Sequence, residues 1–114
     1  MKSIISAFLL IGSFSYAQFA LSACNYPKMN VDIPNGTSAT MEEMVAAQAS
    51  FKAYNADMDA YLACLDGELA LVSEDLDIYP EIKKLNNSKY DAAVEVLTEA
   101  ADEWNEAVRA YKAQ

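Results

Sequence analysis

The chain has 114 residues, enough for a single domain, and its 17 acidic against 8 basic residues give a formal charge of −9 at pH 7. Such a surface repels nucleic acid and anionic lipid. Histidine is absent, which removes the usual general base and the commonest transition-metal ligand.

The first segment reads as a secretory signal. Lys2 supplies a positive start, residues 4–14 are apolar, Gly12 breaks the run, and Ser15 and Ala17 occupy the small-residue positions of a cleavage site. Processing is therefore expected after Ala17, giving a signal peptide over 1–17, with Ala23 as the later alternative. A retained membrane span needs about 20 predominantly apolar residues, more than this interrupted run provides. Lys2 leaves with the signal, so the mature chain is more acidic still.

Residues 18–39 read as an extended arm. Met29, Val31 and Ile33 alternate with polar residues at a period of two, and the PNG at 34–36 turns the chain. A helical hairpin is expected over 40–114. Its first helix starts at Thr40, with Glu43 three residues on as a capping box, and runs to about residue 73. Met44, Phe51, Met58, Leu65 and Val72 recur every seven residues along it, with Ala47, Tyr54 and Tyr61 in a parallel row. Gly67 is its weak interior residue. The charged, turn-rich stretch after residue 73 is the connector, in which Pro80 opens a short turn through Leu85. The second helix is expected over about 88–112, with Ser88 capping toward Asp91. Its seam is Tyr90, Val94, Leu97, Ala101, Trp104, Val108 and Tyr111, with Ala93, Ala100 and Ala107 beside it.

The order of motifs carries a resemblance. Cys-Asn-Tyr-Pro at 24–27, Ile-Pro-Asn-Gly at 33–36, Ala-Thr-Met-Glu-Glu-Met at 39–44, Cys64–Leu65 and the C-terminal Lys-Tyr-Asp-Ala-Ala-Val at 89–94 resemble an uncharacterised family of small exported proteobacterial helical proteins. The resemblance spans most of the mature chain and implies export and a helical architecture. It also implies that Cys24 and Cys64 pair.

Cys24 nevertheless has two readings. Leu-Ser-Ala-Cys at 21–24 matches a lipobox, which would make Cys24 an acylated lipoprotein residue. Acylation would leave Cys64 as a lone thiol in an oxidising compartment. For the disulfide, the arm from Cys24 to Thr40 reaches about 53 Å when extended. The helix from Thr40 to Cys64 is only about 36 Å long, so the arm can fold back and bring the cysteines together. The bond is the expectation and the lipid the alternative.

Chemistry is sparsely signalled. Asn55, Asp57, Asp59 and Asp66 match four positions of a calcium-loop template, but Ala60 stands where glycine belongs and the stretch lies inside the first helix. Eight acids without a basic residue occupy 57–81, a run that could gather cations weakly and more commonly serves as a solvated face. Trp104 with Tyr54, Tyr61, Tyr90 and Tyr111 suggests either an aromatic ligand site or, at heptad spacing, core. No nucleophile has a histidine to activate it.

The expected fold is thus all-α: an antiparallel two-helix hairpin with an extended N-terminal arm, its coiled-coil-like seam available for dimerisation to a four-helix bundle. The candidate interface is Tyr90, Leu97, Trp104 and Tyr111. The expected role is a small exported, periplasmic or secreted, interaction or structural module that is not an enzyme and needs no cofactor or metal. Its partner is a protein or a second copy, with no nucleic acid and no membrane span. The alternatives are an outer-membrane lipoprotein adaptor acylated at Cys24, and a weak cation or small-ligand binder.

Overall fold

The structure, a computed structural model, describes residues 24–114, so the signal segment and both candidate cleavage sites lie outside the described residues. Two helices, α1 (Met41–Ala70) and α2 (Tyr79–Lys112), pack against one another as an antiparallel hairpin, and among the described residues there is no strand.

The start of α1 is built as its sequence implies. Thr40 is the N-cap, its hydroxyl accepts the Glu43 amide at 3.2 Å, and the Glu43 carboxylate accepts the Thr40 amide at 2.8 Å. Two of the donors left free at a helix start are thereby satisfied reciprocally. Met44, Ala47, Tyr54, Met58, Tyr61 and Leu65 form the buried stripe, but Phe51 of the expected row is half-buried, and the helix ends at Ala70 and not near 73, which leaves Val72 in the connector.

The start of α2 corrects an expectation. The helix begins at Tyr79, well ahead of Ser88, with Pro80 in its first turn. Proline there lacks only an amide that has no intrahelical acceptor anyway, and its fixed φ suits the helix. Nothing in 81–88 then interrupts the ladder. Ser88 does not cap; its hydroxyl donates to the Lys84 carbonyl one turn earlier, at 3.0 Å. The connector shrinks to residues 71–78, closed by short turns such as Leu76 N–H to the Ser73 carbonyl and Tyr79 N–H to the Leu76 carbonyl.

The seam of α2 is also re-centred. Its buried residues are Asn86, Ala93, Ala100 and Ala107, a strict seven-residue repeat. The larger Tyr90, Leu97, Trp104 and Val108 flank this row, and Val94 is exposed. Small residues along the centre of α2 let the bulky stripe of α1 approach closely. Met58 and Leu65 become the largest fully buried side chains of the hairpin.

Two clusters result. One joins Tyr54, Met58, Tyr61 and Leu65 to Ala93, the other joins Met44 and Ala39 to Ala107. Between them Phe51 stacks on Trp104, ring centroids 6.2 Å apart and planes 13° from parallel. At the connector end Asn86, buried, donates from its amide to the Leu65 carbonyl at 2.8 Å. A polar group at a seam position has one partner across it, which fixes the relative register of the helices.

The arm folds back over this hairpin. Val31 packs on the first cluster and Ile33 on the second, while Met29 turns outward, contrary to a uniform apolar edge. At 35–39 the arm ends in a tight turn. The Asn35 side chain accepts from the Thr37 amide and hydroxyl, and the Asn35 carbonyl accepts from the amides of Ser38 and Ala39. Gln114 ties this turn to the end of α2 by donating to the carbonyls of Gly36 and Ala39.

Candidate functional site

Cys24 and Cys64 are bonded, with Cα atoms 5.8 Å apart, and the described residues contain no free thiol. The bond clamps the start of the arm onto α1. A sulfur in this bond cannot also carry a thioether-linked lipid, so pairing and acylation exclude each other. Next to it Tyr26 meets Tyr61 edge-on, centroids 5.3 Å apart and planes at 85°. The Glu68 carboxylate lies within 4.8 Å of both sulfurs. Those sulfurs are spent on each other and offer no thiolate, so this trio is a disulfide beside a carboxylate, not a metal centre.

Tyr54 lies deeper. It is 4% exposed, and its hydroxyl has no hydrogen-bond partner of acceptable geometry among the described residues. Burial, and after it the neighbouring Tyr26 phenol, push its pKa above the ordinary phenol value.

The arm leaves two grooves against α1. One, of about 320 Å³, is bordered by Asn25, Tyr26, Asp57 and Tyr61 beside the disulfide. The other, of about 430 Å³, lies between Asp32, Ile33 and Pro34 of the arm and Ala46, Ala47 and Ser50 of α1. The second also has the Glu43 carboxylate and the Ser50 hydroxyl on its wall, with Glu43 engaged in the helix cap. The calcium-loop match is dissolved by the fold: Asn55, Asp57, Asp59 and Asp66 lie on continuous helix and point to solvent. Among the described residues no three carboxylates converge on one point.

The candidate interface residues Tyr90, Leu97, Trp104 and Tyr111 are half-buried against their own chain, the first two on one cluster and the last two on the other. The aromatic side chains share the core, and Tyr61 also borders the groove beside the disulfide. Dimerisation through this row has only the outer edges of these side chains to bury.

What sequence reasoning did not find is the hairpin tip. Leu71 is 89% exposed, Ile78 58% and Leu85 59%, with Leu76 half exposed between them. A groove of about 310 Å³ opens beside them, floored by Leu69, Ala70, Val72 and Tyr79, with Asp66 and Glu74 on its rim. The signal was present as the basic-free acidic run, yet only the position of the turn shows that apolar side chains sit inside it.

No helix among the described residues is long and apolar enough to cross a membrane. No protein-family model, no curated protein and no solved structure matches this chain.

Proposed function

We propose that this protein is a small exported, non-catalytic interaction module of the cell envelope, a disulfide-clamped helical hairpin that presents its tip to a protein partner. The exposed leucine and isoleucine side chains of residues 71–85 carry the reading, because a chain this small rarely leaves several large apolar groups together in water without a use for them. Export is supported by the signal-like segment at 1–17 and by the Cys24–Cys64 bond, which persists in oxidising compartments. The resemblance to small exported proteobacterial helical proteins points the same way. The bond also argues against the lipoprotein alternative, since it occupies the sulfur that acylation needs.

Two measurements test this. The intact mass of the protein recovered from the envelope should equal the processed chain less two hydrogens. A retained signal or an added acyl mass contradicts the assignment. A photocrosslinking residue placed at Leu71 should then give discrete protein adducts in intact cells, while one at the solvent-facing Glu99 should not. Absence of adducts at every exposed position overturns the interaction role.

A further inference from the structure

We propose that the hairpin-tip groove takes a basic amphipathic segment of another protein, with an apolar side chain on its floor and a lysine or arginine on each rim acid. The inference rests on the interaction reading above and adds the chemistry of the partner.

The groove floor is apolar, formed by Leu69, Val72 and Tyr79, and its rim carries Asp66 and Glu74. Beyond the rim, Asp75, Asp77 and Glu81 extend the negative field; Lys83 and Lys84 on α2 offset part of it, and before the tip the nearest basic residue along the chain is Lys52. Ile78, Ile82 and Leu85 fall on one side of the opening turns of α2, four and three residues apart, with Ile78 and Leu85 exposed and Ile82 half-buried. An apolar strip bordered by acids selects a ligand that alternates apolar and cationic groups.

The same charges decide against two other occupants. A second copy of this chain would bring acid against acid at the tip, and like charges in juxtaposition oppose association. An anionic lipid surface is repelled for the same reason. A neutral apolar peptide could enter the groove but would gain nothing from the rim.

The test uses the full oxidised protein and labelled helical model peptides, one of leucine and lysine, a second of leucine and glutamate, and a third of serine and lysine. Anisotropy titration should show the leucine–lysine peptide binding and the other two failing to bind. Asp66→Asn with Glu74→Gln should weaken that binding about tenfold, the size expected for losing two exposed charge pairs, and raised salt should do the same. A control with Glu95→Gln and Glu99→Gln, acids on the solvent face of α2, should change it less than twofold. Val72→Ser should also weaken it while leaving helicity and Tm unchanged. Equal weakening by the α2 control and the rim pair would reduce the effect to general charge attraction and overturn the site. So would tight binding of the serine–lysine peptide. If Leu71 crosslinks a partner in cells but no leucine–lysine peptide binds, the interaction role stands and the basic partner falls.

Discussion

Gly36 lies directly against the backbone of Ala107, so close that a methyl group on Gly36 would collide with the Ala107 carbonyl oxygen. The backbone of Gly36 is not in the left-handed region, so glycine is required here for the approach and not for its dihedral angles. The contact joins the turn that ends the arm to the last turns of α2, and Ala107 is itself one of the small seam residues.

Gly36→Ala should therefore destabilise the protein by about 1–3 kcal/mol, the usual cost of forcing an extra carbon into a packed site. The neighbour is backbone and cannot rotate away. Calorimetry should record a Tm at least several degrees lower. Gly36→Ala combined with Ala107→Gly should recover none of it, because the clash is with the carbonyl and not the methyl of Ala107. Unchanged melting of Gly36→Ala would mean that the turn does not rest on α2.

The disulfide should be the largest single contributor to stability. It links residues 40 apart in sequence. Closing such a loop in the unfolded chain is worth about 4 kcal/mol in the chain-entropy account. Cys64→Ser should lower Tm by on the order of 15 °C or more for a domain of this size, and reductant should reproduce the loss. Glu68, with its carboxylate beside both sulfurs, should slow attack by anionic thiols through charge repulsion. Glu68→Gln should then speed reduction by glutathione several-fold while leaving reduction by a neutral phosphine unchanged. An unchanged glutathione rate in Glu68→Gln, or an equal acceleration with the phosphine, would remove that role.

The parts of this architecture that sequence pattern discloses are those governed by local chemistry and by large side chains. Thr40 and Glu43 mark a helix start because their partners are three residues away. The Met44–Met58–Leu65 row marks a buried face because large apolar groups recur at seven. The second helix is harder to read for the opposite reason. Its centre is Ala93, Ala100 and Ala107, and alanine is equally at home in core and on the surface, so the larger Tyr90 and Trp104 draw the eye to the flank. Asn86 extends the same seven-residue row by one step, but a polar residue in a turn-rich stretch looks like connector until the Leu65 carbonyl is seen opposite it. Pro80 has the same ambiguity: it both ends helices and begins them. The cysteine pairing depends on a fold-back that chain length permits and tertiary contact decides. The tip groove shows in the sequence only as an acidic run, because its floor and rim come from the end of one helix, the connector and the start of the next.

Gly67 lies in the last turns of α1, exposed, and a methyl group there would meet no atom within 4 Å. Its conformation is helical, without a positive φ. Gly67→Ala should thus stabilise by roughly 1 kcal/mol, through the restricted unfolded chain and better helix propensity. Tm should rise by about 4–8 °C, with no change in the oxidised mass. A fall in Tm would show that the end of α1 needs the glycine for a conformation other than this helix.

Tyr54 carries the pH dependence. Its phenol is buried without a hydrogen-bond partner of acceptable geometry among the described residues, and its folded pKa is raised, by burial first and then by Tyr26. Below the ordinary phenol pKa of about 10 the group is neutral in both folded and unfolded chains, so its contribution is complete. Above that pH the unfolded chain loses the proton and the folded chain retains it, so the contribution is lost progressively as pH climbs toward the folded value. Tyr54→Phe keeps the ring in the core and removes a buried hydroxyl, a change that should be close to neutral or slightly stabilising near pH 8. The difference in Tm between Tyr54→Phe and the parent should stay constant from about pH 8 to 9.5, then widen in favour of phenylalanine as pH rises to about 11. Thermal melts in matched buffers measure it. A constant difference across the whole range would mean that Tyr54 ionises as freely in the folded protein as in the unfolded chain, and that the arm does not seal the core over it.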